Sequence, residues 1–242
     1  MTQNASPEQS SPHASIAHVK TWIFDLDNTL YRADADFFKQ IDRKMTAYIQ
    51  RYLSVSQEKA TELRKVYWTE YGTTLSGLMA VHDMDPAEFL EDVHDVDLSF
   101  LKPDPKLRQL IENLPGRKLI FTNGSRGHAK NVGTHLNLLD LFEGSFGIED
   151  TGYIPKPQRA AFEAFNTSFD IDPTEAIFFE DGVLNLQVPK HMGMKTVLVT
   201  SETGFDTIPE AVTLEADTGQ AEWVDFVTDD LPAWLSAHAA FT

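Results

Sequence analysis

The sequence predicts an α/β fold: a Rossmann-like, mostly parallel sheet flanked by helices, with an all-helical cap inserted after the first strand. Short apolar runs alternate with helical periodicity along most of the chain, and this alternation is typical of parallel strands joined by crossover helices. One stretch, residues 33–100, shows helical periodicity alone. It is too long for a loop and therefore predicts a second, helical domain.

Six short apolar runs carry the strand signal. Turn-forming residues bound them, which favours buried strands over helices, and we expect right-handed crossovers between parallel neighbours. The first run begins at Thr21 and breaks at the Asp and Asn residues that follow. The others lie at Lys118–Phe121, Ala176–Phe179, Lys195–Val199 and, more weakly, Ser145–Ile148 and Trp223–Val227.

Apolar residues three and four positions apart predict two helices between these strands. One follows Asp104-Pro105 and stops at Pro115-Gly116, because proline is favoured in the first helical turn and proline or glycine ends a helix. The other covers Ala160–Phe169, where phenylalanines repeat along one face.

The insertion carries three helical signals. Apolar residues over Phe38–Tyr52 line one face of a first helix. Ser56 is placed to cap a second helix that ends near Gly72, and Asp85-Pro86 is typical of the start of a third. The hydroxyl-rich segment Tyr71–Leu78 is interpreted as a loop that faces the functional site.

These signals divide the chain into three parts. Residues 1–19 are predicted to form a flexible tail, because they are rich in polar residues and have no apolar stretch; for the same reason they are not a secretory signal. Residues 20–32 and 101–242 form the α/β core. Residues 33–100 form the cap.

The composition excludes several classes of function. Of 242 residues, 37 are acidic and 20 are Lys or Arg, which gives a net charge of −17 and disfavours binding to nucleic acid or to an anionic membrane. No apolar run could span a bilayer. With no cysteine, disulfides, thiolate metal sites and a cysteine nucleophile are excluded. We expect a cytoplasmic protein, and the sequence leaves open whether a homodimer forms.

Two carboxylates follow the first predicted strand. Asp25 and Asp27 are two positions apart, so their side chains point to the same side, at the end of the strand where α/β folds bind ligands. Asp27-Asn28 also fits an ordinary turn. The alternative is a phosphate site in which one carboxylate attacks, the other moves protons and Mg²⁺ shields both.

Three further segments follow later strands or precede a helix. Thr122-Asn123-Gly124 offers a hydroxyl, an amide and backbone N–H groups to an oxyanion. Lys156 lies between two prolines, and Glu180-Asp181 is placed to complete a metal site with Asp25. Each also has a plainer interpretation as a turn, a solvated lysine or a helix-capping acid. Their combination favours the phosphate site.

The order of these segments resembles the haloacid dehalogenase superfamily of phosphohydrolases. Phe24–Leu30 is similar to its first motif, Thr122 to the second, Lys156 to the third and Glu180-Asp181 to the fourth. The resemblance runs from Trp22 to the C-terminus, and the helical insertion stands where a C1-type cap belongs. Further segments resemble the bacterial pyrimidine 5′-nucleotidase group: Tyr71–Leu78, His94–Asp97, Leu101–Pro105 and Pro115–Ser125.

The resemblance implies a Mg²⁺-dependent phosphomonoesterase that forms an aspartyl-phosphate and acts on pyrimidine nucleoside 5′-monophosphates. Asp25 would be the nucleophile. Asp27 would protonate the leaving oxygen and then activate water. Thr122, Asn123 and Lys156 would bind the phosphate.

The resemblance also implies the metal ligands. Mg²⁺ would be held by the Asp25 carboxylate, the Asp27 main-chain carbonyl and Asp181, with Glu180 assisting through water. Gly182-Val183-Leu184 departs from the small polar or basic residues that are more common in the group. We therefore expect the contacts behind Asp181, and the fit of the substrate, to differ.

Several alternatives share much of this pattern. A phosphoglycolate-type phosphatase and a phosphoglucomutase-type isomerase need the same core residues. A haloacid dehalogenase needs no proton donor at the position of Asp27, which argues against it. A receiver-like phosphate-binding module, which is not an enzyme, has aspartates and a lysine at strand ends but is shorter and lacks a helical insertion. The histidines show no metal-ligand spacing and are interpreted as surface or packing residues: His82, His94, His128 and His191.

Overall fold

A computed structural model describes residues 16–32, 35–200 and 221–238. Within these residues, six strands form one sheet in the order β3-β2-β1-β4-β5-β6, and every adjacent pair is parallel. The predicted α/β class is confirmed. The strands are β1 (Thr21–Phe24), β2 (Arg117–Phe121), β3 (Gly144–Phe146), β4 (Ala176–Glu180), β5 (Lys195–Val199) and β6 (Phe226–Thr228).

The helices flank the sheet and fill the insertion. Four of them lie within residues 33–100: α1 (Ala35–Leu53), α2 (Gln57–Tyr71), α3 (Thr74–His82) and α4 (Pro86–Val93). The others are α5 (Pro105–Glu112), α6 (Arg126–His135), α7 (Arg159–Phe169), α8 (Gln187–Met192) and α9 (Leu231–His238). The predicted boundaries of the second and third helices of the insertion are confirmed, since Ser56 and Asp85 accept backbone hydrogen bonds as N-caps and Gly72 ends α2 in the left-handed region.

One prediction for the insertion is wrong. The segment interpreted as a loop, Tyr71–Leu78, is largely helical, because Thr73 Oγ1 accepts a 3.0 Å hydrogen bond from Ser76 N and begins α3. Gly77 obscured this signal in the sequence, since glycine is a poor helix former. Its presence has a packing reason: a Cβ there would lie 2.3 Å from Tyr67 Cβ on α2.

The sheet is buried on both faces. Alternate residues of β1 enter two separate apolar clusters, with Trp22 and Phe24 on one face and Ile23 on the other, as the period of two in a strand requires. A third cluster lies in the insertion, around Ile49 and Leu78. This third core supports the division into a cap of residues 33–100 and a core domain, which stays a prediction.

The C-terminal end of the predicted flexible tail is buried in the core domain, unlike the prediction. Ile16 and Val19 are buried in the same cluster as Trp22, and Lys20 N donates a 2.8 Å hydrogen bond to Glu175 O. Residues 1–15 lie outside the described residues. No helix within the described ranges combines the length and apolarity needed to cross a bilayer.

Replacing Gly77 by Ala is expected to lower the free energy of unfolding by about 1–3 kcal/mol, because the added methyl group forces α3 away from Tyr67. Gly127 on α6 is the matched control, since the nearest atom to its added Cβ is 3.7 Å away. There the same substitution is expected to stabilise the protein by about 0.5–1 kcal/mol through helix propensity. Urea unfolding of both variants checks the opposite signs, and a Gly77→Ala variant as stable as the parent would contradict the packing argument.

Candidate active site

The carboxyl ends of three neighbouring strands bring the predicted residues to one edge of the sheet. Asp25 follows β1, Thr122 follows β2 and Glu180 ends β4, and β1 lies between the other two strands. Ligands bind at this edge in open parallel sheets because the order of the strands reverses there and opens a crevice.

Lys156 lies at the centre of the site, although it comes from the loop after β3. Its Nζ donates to Asp25 Oδ1 at 2.8 Å, to Glu180 Oε2 at 2.7 Å and to Phe121 O at 2.9 Å. An ammonium group has three donors, so all three are used, and the residue is only 3% exposed. Burial alone would lower the pKa of Lys156, but the charges of Asp25 and Glu180 raise it above its ordinary value. The interpretation as a solvated lysine is therefore wrong.

Asn123 fixes the backbone of this lysine. Its Oδ1 accepts a 2.8 Å hydrogen bond from Lys156 N, and its Nδ2 donates to Lys156 O at 3.1 Å. The side chain predicted to bind phosphate therefore has a second task, which is to hold Lys156 against the end of β2. Its contact with phosphate stays a prediction.

Three carboxylates form a candidate metal centre. One oxygen from each of Asp25, Glu180 and Asp181 lies within 4.8 Å of the others, and Asn28 Nδ2 donates to Asp181 Oδ2 at 3.2 Å. Burial, followed by the charge of Glu180, raises the pKa of Asp25 to about 7, although Lys156 opposes the shift. A bound cation would offset the repulsion between these carboxylates, and an all-oxygen donor set suits Mg²⁺. These residues fit the predicted metal, whereas the Asp27 carbonyl as a ligand stays a prediction.

Mg²⁺ is expected to raise the midpoint of thermal unfolding more at about pH 8 than at about pH 6. Since the pKa of Asp25 is about 7, the cation must displace a proton at the lower pH and meets a free carboxylate at the higher pH. Asp181→Asn should remove most of the shift, whereas the same change at the exposed Asp140 should leave it. An equal shift at both pH values would contradict the assignment of Asp25 as a ligand.

Asp27 is held by two side chains that the sequence analysis did not assign to the site. Its Oδ1 accepts hydrogen bonds from Tyr31 Oη and, at 2.8 Å, from His128 Nε2. Burial would raise the pKa of Asp27, but His128 and then Tyr31 lower it to about 2. The interpretation of His128 as a surface or packing residue is wrong. His94 is also at the site, because its ring stacks on that of His128 with 4.4 Å between centroids.

Thr122 and Gly124 form the turn that faces these groups. Thr122 is buried, and its Oγ1 accepts a 2.9 Å hydrogen bond from Gly124 N, which leaves the hydroxyl hydrogen for another acceptor. A Cβ on Gly124 would lie 3.3 Å from both Thr122 Oγ1 and His128 Cδ2, and 3.7 Å from Asp27 Oδ2. Glycine therefore keeps the space between the hydroxyl and the carboxylate open.

The unusual segment after Asp181 has a local reason at its first residue. Gly182 N donates to Glu180 Oε1 at 3.0 Å, and a Cβ on Gly182 would lie 2.8 Å from Asn185 Nδ2. Because Glu180 Oε2 is bound to Lys156, both oxygens of this acid have hydrogen-bond partners. Gly182 thus helps to fix the orientation of Glu180, whereas the exposed Leu184 has no structural explanation here.

Comparison with known families identifies the fold and the class. Residues 19–193 match the family model of haloacid dehalogenase-like hydrolases. The chain belongs to this family. The match spans the insertion and all the segments that carry the acids, the threonine and the lysine described above, so the resemblance to the haloacid dehalogenase superfamily is confirmed.

Two curated proteins are similar over part of their length. The chain is 29% identical over 197 residues to "Phosphate metabolism protein 8" of Saccharomyces cerevisiae, over 74% of this chain and 61% of that protein. It is 25% identical over 104 residues to "Validoxylamine A 7′-phosphate phosphatase" of Streptomyces hygroscopicus subsp. limoneus, over 43% of this chain and 48% of that protein. The chain thus spans less than two thirds of either relative.

Solved structures share the fold at low sequence identity. A HAD phosphatase from Thermococcus onnurineus has a TM-score of 0.59 at 18% identity, covering 91% of this chain and all of the other. L-2-haloacid dehalogenase from Xanthobacter autotrophicus, with chloropropionic acid covalently bound, has a TM-score of 0.55 at 17% identity, covering 90% and 97%. A phosphatase and a dehalogenase thus share one fold, so the activity has to be argued from the site.

Proposed function

We propose that this protein is a Mg²⁺-dependent phosphomonoesterase that works through an aspartyl-phosphate on Asp25, with pyrimidine nucleoside 5′-monophosphates as its substrates. The observation that carries the proposal is the buried Lys156, which bridges Asp25 and Glu180 at 2.8 and 2.7 Å. This arrangement supports the proposal because it places a carboxylate nucleophile next to a fixed positive charge and beside a cluster of acids that can hold a metal.

The first step is attack by an Asp25 oxygen on phosphorus, with cleavage of the ester P–O bond. Two anions repel each other, so a carboxylate attacks a phosphate dianion only where positive charge offsets that repulsion. Lys156 supplies one such charge at a fixed place. A divalent cation on Asp25 and Asp181 would supply the rest by neutralising phosphate oxygens. Thr122 is placed to donate its hydroxyl hydrogen to a phosphate oxygen.

Asp27 handles the protons in both steps. It gives a proton to the leaving oxygen in the first step and takes one from the attacking water in the second, which releases inorganic phosphate and restores Asp25. A pKa of about 2 makes Asp27 a carboxylate in the free protein, which suits the second step. For the first step we infer that the bound phosphate, as a nearby negative charge, raises the pKa of Asp27.

The contacts of Asp27 favour phosphate chemistry over dehalogenation. Displacement of halide from carbon leaves an anion that needs no proton, so a held carboxylate two residues after the nucleophile has no task in that reaction. Here Asp27 has two hydrogen-bond donors on one oxygen and a side chain that is 25% exposed. These properties suit a group that meets a leaving oxygen.

The cap supplies a cavity next to the lysine. A space of about 690 Å³ is lined by Tyr71, Ser76 and Met79 from the insertion and by Tyr153 to Gln158 from the loop that carries Lys156. Its size suits a small organic ligand. Aromatic side chains beside a hydroxyl suit a nucleoside, which has a flat base and a polar sugar.

A phosphate-release screen with Mg²⁺ tests the proposal. Uridine and cytidine 5′-monophosphates are expected to be hydrolysed with kcat/KM at least about tenfold above purine nucleotides, sugar phosphates and phosphoglycolate, a difference of about 1.4 kcal/mol in transition-state binding. A preference for phosphoglycolate would replace the substrate class and keep the chemistry. The absence of release from every ester, with Mg²⁺ present, would overturn the phosphatase itself.

A further inference from the structure

Asp27 is held by side chains from two distant parts of the chain. Tyr31 lies four residues later and returns to it because Asn28 adopts a left-handed conformation with φ 61° and turns the chain after β1. His128 is 101 residues away on α6. Both side chains bind the same oxygen, Oδ1, so they fix the rotation of the carboxyl group about its own axis.

His128 is itself held firmly. It is 2% exposed, and its backbone N donates to Ser125 Oγ at 3.0 Å. One face of its ring stacks on His94 of the insertion, and His94 Nδ1 lies 3.1 Å from the same Ser125 Oγ. The Nδ1 atom of His128 has no hydrogen-bond partner among the described residues. The polar contact that the imidazole ring makes within that part of the chain is therefore the one to Asp27.

The second oxygen of Asp27 is left for the reaction. No described residue hydrogen-bonds Oδ2, which lies beside Gly124, and the turn that contains Thr122 Oγ1 borders the same space. A carboxyl group with one oxygen bound twice and the other open presents that open oxygen in one direction. General acid catalysis depends on such alignment with the leaving oxygen.

We propose that Tyr31 and His128 are positioning residues, which hold Asp27 Oδ1 so that Oδ2 faces the leaving oxygen of the phosphate ester. This inference rests on the proposed function, in which Asp27 is the proton donor. Neither residue touches the phosphate. Their removal leaves Asp25, Lys156 and the metal ligands in place, and it acts on catalysis through Asp27, which loses its alignment together with the two donors that lower its pKa.

The test separates proton transfer from the rest of catalysis by the choice of ester. With 4-nitrophenyl phosphate the leaving group is a stable anion and needs little protonation, whereas phenyl phosphate and uridine 5′-monophosphate release poor leaving groups. The value of kcat/KM reports the steps up to P–O cleavage. Tyr31→Phe and His128→Leu are expected to lower kcat/KM for the two poor esters by about 10–100-fold and for 4-nitrophenyl phosphate by less than about threefold.

His128→Gln is the conservative control. Its amide N–H can reach the place of Nε2, so this variant is expected to recover most of the loss seen in His128→Leu. Tyr31→Phe removes only a hydroxyl group and keeps the ring in its T-shaped contact with Phe37. It therefore carries the test if His128→Leu does not fold, which thermal unfolding of each variant will show.

Asp27→Asn distinguishes the two proposals. If it lowers kcat/KM for the poor esters far more than for 4-nitrophenyl phosphate, Asp27 is the acid. The positioning proposal is then decided by the result for Tyr31→Phe. Equal losses on all esters in Tyr31→Phe, or no loss, would overturn the positioning proposal alone. Equal losses on all esters in Asp27→Asn would overturn the proposed role of Asp27, and the inference with it.

Discussion

Replacing Asp25 by Asn is expected to lower kcat for phosphate release by at least about 10³-fold, because an amide oxygen is a poor nucleophile towards phosphorus. Acid quenching during turnover of a labelled ester should trap phosphate on the parent protein and none on Asp25→Asn. With labelled 4-nitrophenyl phosphate, whose leaving group needs little protonation, Asp27→Asn should trap more than the parent, since the water that hydrolyses the intermediate loses its base. Label on a residue other than Asp25 would contradict the assignment.

The fold is expected to tolerate Asp25→Asn. In this variant Lys156 Nζ can still donate hydrogen bonds to Glu180 Oε2, at 2.7 Å in the parent, and to Phe121 O, at 2.9 Å in the parent. The buried positive charge therefore still has one negative partner. Removing Asp25 also removes the group whose burial raises its pKa to about 7, so unfolding at neutral pH should not become easier. Asp140→Asn on the exposed surface is the control; it should leave kcat unchanged and lower the free energy of unfolding by less than about 1 kcal/mol, the cost of weakening one exposed ion pair with Arg108.

Local patterns predict most of the fold because they depend on neighbours in the chain. The β1 run is buried on both faces, so it reads as a continuous apolar strand, and the caps at Ser56 and Asp85 are side chains that bond within three residues. Helix α3 was missed for a non-local reason. Gly77 weakens its helical signal, and the need for glycine comes from Tyr67 on the neighbouring helix.

The residues of the candidate site also fall into those that local patterns predict and those that depend on distant contacts. Asp25, Glu180 and Asp181 could be predicted because each follows or ends an apolar strand, and parallel strands end at one edge. The partners of Asp27 could not be predicted by spacing. The contact of His128 with Asp27 depends on how α6 packs beside β1, and nothing within a few residues of His128 signals it. The nearest signal in the sequence is Ser125, a good N-cap that places His128 in the first turn of α6.

Replacing Lys156 by Met is expected to have the largest effect on stability, lowering the free energy of unfolding by about 3–5 kcal/mol at neutral pH. The change leaves Asp25 and Glu180, which are 5% and 1% exposed, without their shared cation. Lys59→Met, at an exposed lysine paired with Glu62, is the control and should cost less than about 1 kcal/mol. Urea unfolding measures both, and a similar small cost at both positions would contradict a charge-based role for Lys156.

Neutralising the two acids tests the cause of that loss. In Lys156→Met the Asp25 carboxyl group loses the positive charge that opposes its raised pKa, so this pKa rises further in the folded state, and the variant should lose less stability at about pH 5 than at about pH 8. The triple variant that adds Asp25→Asn and Glu180→Gln has no buried charge left at Lys156. Since buried ion pairs are often replaceable by neutral groups at little cost, it should be more stable than Lys156→Met at neutral pH, with a much weaker pH dependence. A triple variant as unstable as Lys156→Met would show that the unpaired carboxylates are not the cause of the loss, and that the contacts of Lys156 with Phe121 and Phe178, whose ring centroids lie 5.2 Å from Nζ, account for more of it.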